Sequence, residues 1–182
     1  DERCLDAVCG DYGVRLSGEE RKKALDRKVR IYGRMLQKRL PLFPGAAAFI
    51  KAAAGRYPLA LASGARREEI ETILEAAGLG GYFEVIVAAE DFTQGKPCPE
   101  SFLLALSLLN AKLRRKEPVR PEECLVIEDS VGGIQGARAA GMICVAVSNS
   151  YPARMLQQAN RIVASLEEVE VDSLKNLFGE LA

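Results

Sequence analysis

Residues 124–133 read CLVIEDSVGG. Leu125, Val126 and Ile127 form a continuous apolar run, the signature of a strand buried on both faces in a parallel sheet. The run stops on two adjacent acids, Glu128 and Asp129. Ser130 and Val131 follow, then two glycines, Gly132 and Gly133. Small residues continue to Ala140, a composition that predicts a helix over 131–140. Strand, acid pair and nearly bare helix start together describe one β–α unit with its carboxylates at the strand's carboxyl end.

The same alternation extends in both directions. Upstream, the pattern predicts a helix over 45–54, strand PLALAS at 58–63, a helix over 67–78, strand EVIVAA at 84–89 and a helix over 99–110. Downstream it predicts strand MICVAVS at 142–148, a helix near 152–158, strand RIVA at 161–164 and a last helix. Strands alternating with helices predict an α/β fold, a doubly wound parallel sheet covered on both faces. Residues 1–38 differ: they are charged and helical. Ser17 with Glu20 three residues on is a capping signal, and Leu25, Val29, Tyr32 and Leu36 share one face of the helix that follows. LPLFPG at 40–45 carries two prolines and a glycine and predicts a hinge. The predicted division is 1–38 and 39–182.

Composition removes several classes of function. Lys plus Arg and Asp plus Glu both number 25, so no net positive charge points to a nucleic-acid surface. The longest apolar stretch, FLLALSLL at 102–109, is well short of the roughly 18 residues of a membrane span. The charged opening DERCLDAVCG has no apolar signal-peptide core. The five cysteines form no C-x-x-C pair. A reducing, cytoplasmic setting is the simplest account of them, with Cys124 and Cys144 as small apolar residues in strands. There is no histidine, which removes Ser-His-Asp catalysis and His-ligated zinc.

Ligands of an open parallel sheet bind beyond the carboxyl ends of its strands, and three such ends carry chemistry. At LALASGARREEI, Ser63 and Gly64 stand between strand and helix. They are either a phosphate cradle of hydroxyl and amides or a plain helix cap. At EDFTQGKPCPESF, Lys96 is held between Gly95 and Pro97. It is either a fixed charge for an anionic oxygen or a lysine in a solvent-facing turn. At the third end, Glu128 and Asp129 suit Mg²⁺, a hard cation that takes oxygen ligands, unless Asp129 or Ser130 simply caps the helix. Hydroxyl with amides, fixed lysine and acid pair together read as a phosphoryl-transfer site.

These motifs resemble the haloacid dehalogenase-like superfamily, and within it the phosphoglycolate phosphatase and β-phosphoglucomutase-like group. That family has a Ser or Thr after a strand, here Ser63; a Lys before prolines, here Lys96 in GKPCPESF; and an acidic pair, here Glu128-Asp129. The resemblance spans 41–165. It implies a Rossmann-like core, with 1–38 as the last part of a helical cap and 39–182 as the core. It implies Mg²⁺ held by Asp129 and Glu128, with Asp129 the direct ligand and Glu128 acting through water. Phosphate would be bound by Ser63, Gly64, Ala65, Arg67 and Lys96, with Ser63 and Lys96 serving the reaction itself. The substrate implied is a small phosphorylated metabolite, with neither nucleic acid nor membrane as partner.

One family motif is missing. The aspartates stand at 1, 6, 11, 26, 91, 129 and 172, so no D-x-D occurs. In the family the first Asp of that motif is the nucleophile that becomes an aspartyl-phosphate, and the second is the general acid/base. Their strand lies centrally, between the strand ending at Ser63 and the strand ending at Glu128. The sequence therefore predicts a fragment of a phosphatase whose nucleophile lies upstream of residue 1. Two alternatives share these residues: a sugar-phosphate mutase, and a binding protein that keeps the fold without the nucleophile. A dehalogenase uses the fold without metal, and the acid pair argues against it.

Overall fold

A computed structural model describes residues 2–38 and 42–179. The chain divides into two compact units, Asp1–Pro41 and Leu42–Ala182.

The first unit holds helices α1 (Glu2–Asp11) and α2 (Gly18–Lys38). The predicted capping box forms. The Ser17 amide donates to Glu20 Oε2 at 2.9 Å, and the Glu20 amide donates to Ser17 Oγ at 3.3 Å. These bonds hold the Glu20 carboxyl below its usual range. Arg21 on α2 pairs with Asp6 on α1. Leu25 is half-buried, while Val29, Tyr32 and Leu36, the rest of the predicted apolar face, lie outside the residues whose side chains are described. The hinge at 40–45 is described only from Leu42 onward.

The second unit alternates as predicted. Its elements are α3 (Ala46–Ala54), β1 (Ala60–Ala62), α4 (Arg67–Ala76), β2 (Val85–Val87), α5 (Glu100–Leu113), β3 (Leu125–Glu128), α6 (Val131–Ala139), β4 (Ile143–Val147), β5 (Arg161–Val163) and α7 (Asn176–Gly179). Every pairing is parallel. β1 pairs with β2, and β4 lies between β3 and β5, with Glu128 opposite Ala146. The strands thus form two sheets rather than one.

β4 shows why the apolar runs are continuous. All of Ile143–Val147 is buried. Cys144 and Ala146 join Phe102, Leu106, Ile134 and Leu156 on one face. Val145 and Val147 join Val163, Val169, Leu174 and Leu177 on the other. Both faces are covered, as a doubly wound parallel sheet requires, and burying each such branched or aromatic side chain contributes about 1.5–3 kcal/mol. Gly45, at φ 78°, starts α3 where a Cβ would lie 2.6 Å from the Glu167 backbone nitrogen, so only glycine fits.

One predicted helix is corrected. The helix near 152–158 is a single turn, Ala153–Met155, begun by Pro152. Leu156 then plugs the core, and Asn160 is fixed to the edge of β4. Its side-chain oxygen accepts from the Cys144 amide at 2.9 Å, and its own amide donates to the Cys144 carbonyl at 2.8 Å. A chain that must cross from β4 to β5 with both these anchors in place has no room for a longer helix. The predicted last helix is α7, described over Asn176–Gly179 and preceded by turns at Leu166–Glu168 and Val171–Ser173.

Candidate active site

The strongest polar feature in the core unit is where the opening stretch of sequence falls. Glu128 ends β3 and is buried. Its Oε1 receives the Lys96 ammonium. Its Oε2 accepts from the Asp129 amide at 3.0 Å, the Ser130 amide at 3.2 Å and Ser130 Oγ at 3.0 Å. A buried carboxylate is tolerable when paired and hydrogen-bonded in this way. Ser130, not Asp129, caps α6: its Oγ accepts from the Gly133 amide at 3.0 Å. The two glycines differ in purpose. A Cβ on Gly133 would lie 2.0 Å from the Glu128 carboxyl carbon, so the bare helix start is the space that the carboxylate fills. A Cβ on Gly132 would meet only ordinary contacts at 3.8 Å from Lys96.

Lys96 is carried by the loop between β2 and α5. The Lys96–Pro97 peptide is cis, and the ammonium lies 4.8 Å from the centre of the Phe102 ring. Glu100, at the start of α5, holds the loop. Its carboxylate accepts from the Thr93 amide at 2.9 Å and the Gln94 amide at 2.7 Å, which lowers its pKa from the usual carboxylate value.

Lys96 and Glu128 close one end of a cavity of about 390 Å³ between the two sheets. Ala60–Ala62 of β1 line it, as do Leu125–Glu128 of β3, together with Phe49 and Ile50 from α3 and Phe102 and Leu106 from α5. Ser63 donates its amide to Val87 and Glu84 donates to Leu59, so Leu59, Leu61 and Ser63 face β2. Cys124 accepts from Ile143, so Cys124, Val126 and Glu128 face β4. The backbone N–H and C=O groups of Ala60, Ala62, Leu125 and Ile127 therefore turn toward the cavity. Ala60 is exposed and the other three are half-buried, so these groups form open strand edges to which a further strand could pair.

The other sequence-predicted residues fall at the β1 end and at β2. Ser63 Oγ accepts from the Ala65 amide at 3.1 Å. The Ala65 carbonyl accepts from Ala89 at 2.9 Å. The Arg66 amide donates to Glu69 and the Arg67 amide to Glu90. Among the described residues the Gly64 amide has no such partner, so the free donor of this loop is Gly64. Arg67 is engaged elsewhere. Its guanidinium donates to Asp91 Oδ2 at 2.6 Å and to the Ile86 carbonyl at 3.1 Å, on the edge of β2 opposite β1. The structure does not bring it together with Lys96 and Glu128.

Asp129 stands beside Glu128, half-exposed, and accepts a hydrogen bond from Ser150, in the loop after β4. The sequence reading missed Ser150; its only signal is its place beyond a fourth strand end. No cluster of three or more His, Cys, Asp or Glu able to hold a metal occurs among the described residues. The acid pair is thus part of a site at most. Its oxygen chemistry suits Mg²⁺, which binds through one or two carboxylates and keeps several waters. The two strand thiols, Cys124 and Cys144, offer no nucleophile. Burial pushes Cys144 up to about 12 and Cys124 up to about 11, leaving no thiolate near neutrality.

A fixed lysine, a buried acid and a half-exposed acid at the end of parallel strands are groups of the kind that phosphoryl transfer uses, here on an α/β core. Residues 9–141 match the haloacid dehalogenase-like hydrolase family, and the chain belongs to it. A chloroplastic 5-amino-6-(5-phospho-D-ribitylamino)uracil phosphatase of Arabidopsis thaliana is 37% identical over 122 residues, covering 67% of this chain and 31% of its own length. The fructose-1-phosphate phosphatase YqaB of Escherichia coli is 39% identical over 98 residues, covering 54% of this chain and 48% of its own. The chain thus spans a third to a half of these relatives. A β-phosphoglucomutase from Clostridium difficile superposes with a TM-score of 0.83 over 98% of this chain and 77% of its own, at 23% identity, a likeness of fold. Among the described residues no helix is long and apolar enough to cross a membrane.

Proposed function

We propose that this chain is part of a Mg²⁺-dependent phosphatase acting on a small phosphorylated metabolite. We further propose that its nucleophilic aspartate enters on a strand upstream of residue 1. The observation that carries the proposal is the cavity between β1 and β3, with unpaired backbone groups on both walls and the Lys96–Glu128 pair at its end. A strand there pairs with both edges, joins the two sheets into one, and delivers its terminal side chains to Lys96.

In this reading the upstream carboxylate attacks phosphorus and the ester P–O bond breaks. The leaving oxygen takes a proton from the second acid of the same strand, and water then cleaves the acyl phosphate. The Lys96 ammonium, held by Glu128, offsets charge on the nucleophile and the phosphoryl oxygens. The Gly64 amide and Ser63, with Ala65 shaping the turn, hold the phosphate. Arg67, tied to Asp91, braces β2 instead. Mg²⁺, when bound through Asp129, neutralises phosphoryl charge. Residues 1–38 serve as part of the cap, and the setting is the cytoplasm.

The test is Asp129→Asn in the full-length protein, with release of inorganic phosphate followed against Mg²⁺ concentration. The mutant is expected to need far more Mg²⁺ for half activation. Mg²⁺ dependence identical to the parent's would refute the assignment.

A further inference from the structure

We propose that Ser150 is a positioning residue: its hydroxyl fixes the Asp129 carboxylate so that the other oxygen is presented to a divalent cation. This rests on the metal reading given above.

The two acids of the pair are not equivalent. Glu128 is saturated, with Lys96 on one oxygen and three donors on the other. Asp129 has one donor among the described residues, Ser150 Oγ on Oδ2, which leaves Oδ1 without a protein partner. The chemistry of that donor matters. A lysine or arginine would fix Asp129 equally well but would neutralise it, and the nearby cation, Lys96, is already bound to Glu128. A neutral hydroxyl holds the side chain and leaves the full negative charge for a cation.

The backbone explains how Ser150 arrives there. β3 and β4 are parallel, and Glu128 is opposite Ala146, so the chain leaves β4 at the same end as Asp129. The loop is anchored before it reaches Ser150: the Ser148 amide donates to the Val163 carbonyl at 2.9 Å, and Ser148 Oγ donates to the same oxygen at 3.3 Å. Ser150 is itself exposed, so replacing it leaves the core untouched.

The experiment is calorimetric titration of the full-length protein with Mg²⁺ alone, for the parent, Ser150→Ala and Ser150→Thr, with thermal midpoints in chelator as a control. Loss of such an orienting partner is expected to weaken Mg²⁺ about tenfold in Ser150→Ala, the low end for groups of this kind. Ser150→Thr, which keeps the hydroxyl, should restore binding, and the metal-free midpoints should agree. Parental affinity in Ser150→Ala would overturn the inference and leave the proposed function standing. A lowered metal-free midpoint in Ser150→Ala that threonine does not rescue would also overturn it, as a purely structural role. A parent that binds no Mg²⁺ would remove the metal reading and this inference together.

Discussion

Lys96 and Glu128 depend on each other in a way that sets the outcome of mutating either. Glu128 has a side chain only 6% exposed, and Lys96 is its counter-charge. Removing one partner of a buried pair costs roughly 3–5 kcal/mol. Here the cost should be smaller, because three further donors remain on Glu128 and Lys96 reaches solvent. Lys96→Ala is therefore expected to stay folded by circular dichroism. Its turnover in the full-length protein should fall about 10²–10³-fold, the usual loss for one preorganised charge-stabilising group. Near-parental turnover would make Lys96 a surface lysine. The neighbouring glycines allow a sharper comparison. Alanine at Gly132 meets only ordinary contacts with Lys96 and gains helix propensity of up to about 1 kcal/mol. Alanine at Gly133 collides with the Glu128 carboxylate, an overpacking that typically costs about 1–3 kcal/mol. Thermal melts should show Gly132→Ala unchanged or stabilised and Gly133→Ala destabilised; the reverse order would contradict the packing described.

Carboxylates fasten the starts of several elements. Glu20 and Glu123 each accept the backbone amide of the residue three positions back, Glu100 accepts those of the loop residues Thr93 and Gln94, and each is held below its usual pKa by those bonds. A folded pKa lower than the unfolded one means a contribution present above the unfolded value, 4.5, and lost as pH falls below it through the folded pKa. For Glu100 the consequence is local, since it ties down the loop carrying Lys96. Amide exchange at Thr93 and Gln94 is expected to accelerate in Glu100→Gln, and in the parent as pH drops below that window, once the intrinsic pH dependence of exchange is divided out. Protection unchanged in the variant would show that the loop holds itself. The order of elements was legible in the sequence because continuous apolar runs and small-residue helices alternate without ambiguity. The Ser17–Glu20 box was legible because its partners lie three residues apart. What was not legible depends on distant loops meeting. Arg67 looked available for phosphate, since its partner Asp91 is 24 positions away. Ser150 meets Asp129 only because β3 and β4 are parallel neighbours. The turn at Ala153–Met155 read as a helix because Asn160's attachment to β4 is a tertiary fact.

Two parallel sheets with facing unpaired edges make an unusual molecule, because exposed strand edges recruit other strands. If a strand carrying the nucleophile belongs between β1 and β3, as proposed, the chain of 182 residues should aggregate readily and lack turnover, because its described residues would supply positioning groups alone and hydrolysis of a phosphate monoester is among the slowest uncatalysed reactions. The most direct measurement is a side-by-side assay of p-nitrophenyl phosphate hydrolysis with Mg²⁺. One arm is this chain; the other is the same chain extended upstream by the strand proposed to carry D-x-D. Turnover is expected from the extended protein, abolished when the first aspartate of that strand becomes asparagine, and none from the shorter chain. Mg²⁺-dependent turnover by the shorter chain, abolished by Asp129→Asn, would contradict the proposal and place the nucleophile within residues 1–182.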